Sequence, residues 1–273
     1  MTAHTSLQLD KILYEIGQAG LRLAEIGAAE GAAGNVSVCL RTPSDASALF
    51  PQKEEMELPL HVPELAGMML VVSGSGRRLR EIAESPMGNL ACVEIQPGGR
   101  IGKLCTSSQR RFHRVTSEFN SHLGVHADRM KSNNVELHAV IHAQPIYLTH
   151  LCHLEEYQDE KTLSRNLLRW QPETILNMPE GIGVIPFLLP GSAQLVVETK
   201  LSLRTRRIVV WARHGVMARA DDSILHACDL IEYAETAAHY ETLNLLSDST
   251  GGGLSPEEIR EIAKSWNVQQ NIF

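Results

Sequence analysis

Two histidines, one glutamate and two glycine-rich turns are the parts of this 273-residue chain whose types and spacing could do chemistry. His142 interrupts the strand-like run Leu137-His138-Ala139-Val140-Ile141-His142-Ala143-Gln144. Alternate residues of a strand share a face, so His138, Val140, His142 and Gln144 are expected to point the same way. His214 follows the apolar run Ile208 to Trp211 and precedes Gly215, a placement that suits a residue lining a cleft. Glu118 falls in the first turn of a predicted helix, where the helix dipole already favours an acid. His122 and His126 follow it at steps of four, and such an E-x3-H-x3-H face could bind metal. Satisfied core or rim histidines would look the same, and spacing alone leaves both readings open.

The glycine-rich segments suit an anion. Ala33-Gly34-Asn35 lies between a helix and a strand, and Ser73-Gly74-Ser75-Gly76 follows a strand and leads into Arg77, Arg78 and Arg80. Small residues let backbone N–H groups approach an anion, and serine and arginine add donors. Neither segment is a nucleotide-binding P-loop, because the G-x4-G-K-[ST] spacing is missing. Two ordinary turns are the plain alternative.

The elements that must position these residues alternate between helical and strand periods. Leu7 to Ile26 places Leu9, Ile12, Ile16, Leu21 and Leu23 on a helical stripe. Val36 to Leu40, Met69 to Val72, Leu137 to Ala143 and Ile208 to Trp211 read as strands. Leu90 to Ile95 and Ile101 to Cys105, joined by Pro97-Gly98-Gly99, read as a hairpin. Helices are expected over Thr116–Met130, Pro190–Arg204 and Asp221–Leu246, the first capped by Thr116 or Ser117. Arg41 to Pro63 reads as a loop. The glycine-rich stretch Ser247 to Ser255 is expected to link a last helix, 255–265, to a single domain spanning 1–273. Hairpins and mixed connections predict an α/β fold whose sheet is not purely parallel, layered with helices.

Composition narrows the function class. The chain is 43% hydrophobic and 21% charged, an ordinary globular balance. A net charge of −7 argues against a nucleic-acid partner, which needs a cationic face. The apolar runs fall short of the ~20 residues that span a bilayer, so no membrane partner is expected. Five cysteines without a C-x-x-C pair read as reduced thiols, and Met1 to Asp10 lacks a signal-peptide pattern; both fit a cytoplasmic protein.

Taken together, the motifs resemble the metal-dependent class II aldolases that act on fuculose and rhamnulose phosphates. The matching pieces are A-A-G-N-V-S-V at 32–38, V-S-G-S-G at 72–76 and T-S-E-x3-H at 116–122. They continue with V-I-H-A-Q at 140–144, P-E-G-I-G-V-I-P at 179–186, R-H-G-V at 213–216 and L-I-E-Y-A-E at 230–235. Their order over about 200 residues carries the resemblance, and the 179–186 segment, Glu173 and the overall length point to the rhamnulose branch. The resemblance implies a three-layer α/β/α fold around a mixed, mostly antiparallel sheet, shared with the adducin head. It implies a cyclic homotetramer with sites at subunit interfaces. It implies Glu118 as catalytic acid/base, with Glu173 as a second reaching in from a neighbouring subunit. It implies metal ligation by His142 and His214, and a substrate phosphate held by Asn35, Ser75, Gly76, Thr116 and Ser117. The implied reaction is retro-aldol cleavage of a ketose 1-phosphate, such as rhamnulose 1-phosphate, to dihydroxyacetone phosphate and lactaldehyde.

Two departures bear on these expectations. The family shows H-x-H on the metal strand, and here the second position is Gln144, a harder and poorer zinc ligand. Gln144 coordinates in a weaker site for Zn²⁺, Mn²⁺, Co²⁺ or Mg²⁺, or His138 substitutes for it, or the site is empty. Ala32 stands where the rhamnulose branch has Asn, which leaves the sugar open. The alternatives within the same fold are a sugar-phosphate epimerase or dehydratase and a non-catalytic, adducin-like scaffold. Glu118 rather than Asp disfavours the epimerases.

Overall fold

The structure, a computed structural model, describes residues 2–247 and 251–273, with side chains from Leu9 onward at the N-terminal end. Positions 248–250 of the expected glycine-rich linker lie outside the described residues. The strands are β1 (Asn35–Leu40), β2 (Gln52–Glu57), β3 (Met69–Ser73), β4 (Leu90–Ile95), β5 (Ile101–Thr106), β6 (Leu137–Ala143), β7 (Gly183–Ile185), β8 (Ile208–Trp211) and β9 (Gly215–Ala220). The helices are α1 (Thr2–Glu25), α2 (Pro86–Asn89), α3 (Phe119–Ser132), α4 (Ile146–Leu151), α5 (Glu160–Leu168), α6 (Pro172–Asn177), α7 (Ala193–Thr205), α8 (Ile224–Leu246) and α9 (Pro256–Ser265).

The strands form one sheet in the order β2-β5-β4-β3-β1-β6-β9-β8-β7. Every pairing is antiparallel except β7 with β8, so the sheet is mixed and mostly antiparallel, as expected. The two-residue period of the strands divides the core between its faces. Val36, Val38 and Leu40 of β1 and Ile141 of β6 pack with Ile12 and Ile16 of α1 and Leu230 and Ile231 of α8. On the other face, Cys39, Leu70 and Val93 meet Phe119 and Leu123 of α3. Val140, Val209 and Trp211 meet Val125 of α3 and Leu195 and Leu203 of α7. Helices therefore cover both faces. No helix among the described residues is long and apolar enough to cross a membrane.

Several expected boundaries shift for local reasons. Arg41 to Pro63 is not all loop. It contains β2, an exposed edge strand of charged residues that antiparallel pairing with β5 holds in place; such charge on an edge opposes pairing with other chains. Thr116 and Ser117 do not cap α3. Thr116 N–H donates to Ser73 and Phe119 N–H to Thr116, so a turn precedes the helix and Glu118 becomes its N-cap. The helices expected from Pro190 and Asp221 start later, at the Ser192 and Ser223 caps. Leu21 is exposed, and Leu13 and Ala19 lie in the buried stripe of α1 instead. The last helix is held by a Ser255–Glu258 capping box.

Candidate active site

The pairing of β1 with β6 brings the first polar pair together, since Asn35 sits opposite His142. Both point to the α3 face, together with Ser37, His138 and Val140, because they share the strand period. Past the end of β6 the chain turns, and Gln144 N–H donates to Ala28 O at 2.8 Å. On the other side of β6, the turn between β8 and β9 delivers His214. Arg213 takes a left-handed conformation at φ 64°, and His214 N–H donates to Trp211 O at 2.9 Å. Gly215 is required beside it: a Cβ there would lie 2.5 Å from Ala143 O and 3.0 Å from His142 Cε1.

Glu118 enters from the start of α3 and is buried. Its Oε2 accepts from Asn35 Nδ2 at 2.8 Å and lies 3.5 Å from His142 Nε2, and its Oε1 lies 3.5 Å from His214 Nε2. One ligand atom from each of Glu118, His142 and His214 lies within 4.8 Å of the others. Burial pushes the Glu118 carboxyl up. The neighbouring His142, the Asn35 hydrogen bond and His214 outweigh it, and the carboxyl is held below the usual range. Burial lowers His214, and His142 adds to the effect against Glu118. His142 bonds through Nδ1 to Val216 O at 2.8 Å; a carbonyl only accepts, so Nδ1 carries the proton and Nε2 presents its lone pair to the cavity. Its ring stacks on Trp211 at a centroid distance of 4.7 Å. Two imidazoles with converging Nε2 atoms, one tautomer fixed by a carbonyl, form a donor set that fits a divalent cation.

The cluster opens into a cavity of about 260 Å³ lined by Asn35, Ser75, Gly76, Thr116, Ser117 and Gln144, among others. All the residues expected at phosphate and metal therefore meet in one place with Glu118, whereas Glu173, expected as a second acid/base, does not join them. That side chain is exposed in the first turn of α6 and does not line the cavity of its own chain. The N–H groups of Gly76 and Ser117 have no hydrogen-bond partner among the described residues, which suits an anion. Gly76 holds φ 71°, a conformation other residues adopt only with strain. Two of the three expected arginine donors are engaged elsewhere: Arg77 binds Asn89 and Glu81 at 2.7 Å each, and Arg78 reaches Glu81 at 3.4 Å. A larger groove of about 650 Å³ beside α3 and α7 contains none of these site residues.

His138, the suspected substitute ligand, is absent from the cavity and bonds instead to His126. His122 and His126 do not converge with Glu118 into a second metal face. Both contact the hydroxyl of Ser37, and His122 also contacts Asn35. Sequence spacing missed Ser37 altogether; its place two residues after Asn35 on β1 is the signal that could have found it.

The profile of the Class II Aldolase and Adducin N-terminal domain matches residues 14–242. A rhamnulose-1-phosphate aldolase of Bacteroides thetaiotaomicron is 29% identical over 95% of this chain and 96% of its own length. Another of Listeria monocytogenes is 26% identical over 94% and 93%. The solved structure of a sugar-phosphate aldolase from Thermotoga maritima superposes with a TM-score of 0.75 at 28% identity, covering 89% of this chain and all of that one.

Proposed function

The chain belongs to the class II aldolase and adducin N-terminal domain family and is a lyase of the aldolase type, and from that premise we propose that it cleaves a ketose 1-phosphate in a metal-dependent retro-aldol reaction. The substrate assigned is rhamnulose 1-phosphate or a close relative, the substrate class in the names of its relatives, with dihydroxyacetone phosphate and lactaldehyde as products. The observation that carries the reading is the convergence of Glu118, His142 and His214 beside donors suited to a phosphate.

His142 and His214 would hold the cation, with Gln144 beside them, Zn²⁺ first and Mn²⁺, Co²⁺ or Mg²⁺ as alternatives. Bound there, a divalent cation supplies Lewis-acid stabilisation for the oxygen that becomes negative. In the cleavage a carbon–carbon bond breaks and its electron pair passes toward the neighbouring carbonyl oxygen. The alcohol proton leaves as the aldehyde forms, and the carbon left behind takes a proton. Glu118, ionised and within reach of both imidazoles, can take up a proton released in the cleavage, and as the resulting acid it is assigned the delivery of that proton to the carbon. Asn35, Ser75, Gly76, Thr116 and Ser117 are assigned to the phosphate. Glu173 is assigned the second acid/base role from a neighbouring copy, which requires an oligomer, and a cyclic homotetramer in the cytoplasm is the assembly proposed.

The test is metal content after purification without chelator, followed by a coupled assay of dihydroxyacetone phosphate release from rhamnulose 1-phosphate. Bound metal with product release is expected. No turnover of any ketose 1-phosphate after addition of Zn²⁺, Mn²⁺ or Co²⁺ would overturn the proposal and favour a scaffold.

A further inference from the structure

Behind the site, starting from Asn35, runs a line of buried polar side chains that beyond Asn35 neither ligation nor phosphate binding uses. Glu118 Oε2 accepts from Asn35 Nδ2 at 2.8 Å, and Asn35 Oδ1 lies 2.5 Å from His122 Nε2. His122 Nδ1 lies 2.6 Å from Ser37 Oγ, Ser37 Oγ 2.7 Å from His126 Nε2, and His126 Nδ1 2.8 Å from His138 Nδ1. Ser37 and all three histidines are fully buried. We propose that the relay His138–His126–Ser37–His122–Asn35 is a positioning device that holds the Asn35 amide with its NH₂ toward Glu118 and so fixes the carboxylate that moves the proton. The functional half of this statement rests on the role assigned to Glu118 above.

Donor and acceptor chemistry sets the direction of the relay. A carboxylate only accepts, so Asn35 must turn its NH₂ to Glu118 and its oxygen to His122. That oxygen needs a donor, which makes His122 the Nε2–H tautomer. A neutral imidazole has one donor and one acceptor, so His122 Nδ1 accepts from the Ser37 hydroxyl. Ser37 Oγ then accepts from His126 Nε2–H, and His126 Nδ1 accepts from His138 Nδ1–H. The line must end on a bare nitrogen, and His138 Nε2 is a buried atom with no hydrogen-bond partner. Burial keeps the three rings neutral, as the relay requires: it pushes His122 down to about 3, and His126 and His138 well below their ordinary value. A flipped Asn35 would set two acceptors face to face at Glu118 and two donors at His122. Each histidine adds a reason against that flip.

The experiment is ¹⁵N-histidine NMR on the full-length metal-free protein at neutral pH, with signals assigned by single-histidine variants. Nε2–H tautomers at His122 and His126 and an Nδ1–H tautomer at His138 are expected. An Nδ1–H tautomer or an imidazolium at His122 overturns the proposal. Kinetics then separate positioning from mere packing. His122→Leu is expected to lower kcat about 10- to 100-fold, with KM within about twofold. His122→Gln, which can still donate to Asn35, should recover most of the rate. Wild-type kcat in a folded His122→Leu overturns the positioning role. If His122→Leu does not fold, Ser37→Ala is read in the same way. If the wild-type protein has no aldolase activity, the proposed function fails on its own, and the tautomers alone decide the relay.

Discussion

At the scale of single residues, the strength of the proposed metal site is expected to turn on Gln144. It lines the cavity with His142 and His214, but its carboxamide is a poorer ligand for zinc than imidazole. Gln144→His is therefore expected to raise zinc affinity by about an order of magnitude in a competitive chelator titration. Unchanged affinity would place residue 144 outside the coordination sphere. The key residues were legible because their types are rare and their neighbours local: His142 in an apolar strand, His214 before a glycine, Glu118 ahead of a helix. The relay was not. His122 and His126 at i and i+4 read as a ligand pair, and only tertiary pairing shows that Ser37 takes one nitrogen from each. The arginines after Gly76 promised phosphate donors, yet Glu81 and Asn89 engage Arg77.

At the scale of elements, the site depends on how tightly β6 and the β8–β9 turn approach each other. Gly215 is the contact point, and its hydrogen faces the Ala143 carbonyl and the His142 ring. Gly215→Ala is expected to cost about 1–3 kcal/mol by overpacking and to weaken metal binding together with the loss of Tm. A variant that melts and binds zinc like the wild type would show that the approach is not needed. Most of the sheet could be read from apolar runs, because β1, β3, β4, β6 and β8 are buried. β2 could not, since Gln52 to Glu57 carries a single apolar residue, Met56, and exists through its pairing with β5. The helix starts were read too early for a similar reason. Thr116 is drawn into a turn by Ser73, a contact between segments far apart in sequence.

At the scale of the whole molecule, the buried histidines set the response to acid. His122, His126 and His138 all have folded values below the ordinary 6.5, so the unfolded chain binds protons there that the folded chain refuses. Stability from these groups is complete above about pH 6.5 and is lost as pH falls toward the folded values, near 3 for His122. Each contributes a slope of up to about 1.4 kcal/mol per pH unit. Tm is expected to fall steeply between pH 6.5 and 5, and a flat profile would contradict neutral burial. The assembly has its own test through Glu173, which lies away from its own cavity. If neighbouring copies share sites, co-refolded Glu118→Gln and Glu173→Gln chains should regain activity at about one site in four. No recovery would leave Glu173 without a part in the reaction.

The most direct measurement of the central claim is the coupled assay of dihydroxyacetone phosphate release on zinc-loaded wild type and Glu118→Gln, with bound zinc quantified in both. Turnover by the wild type, and none by a variant that retains its metal, is the expected result. Equal turnover by the two proteins would contradict the assignment of proton transfer to Glu118.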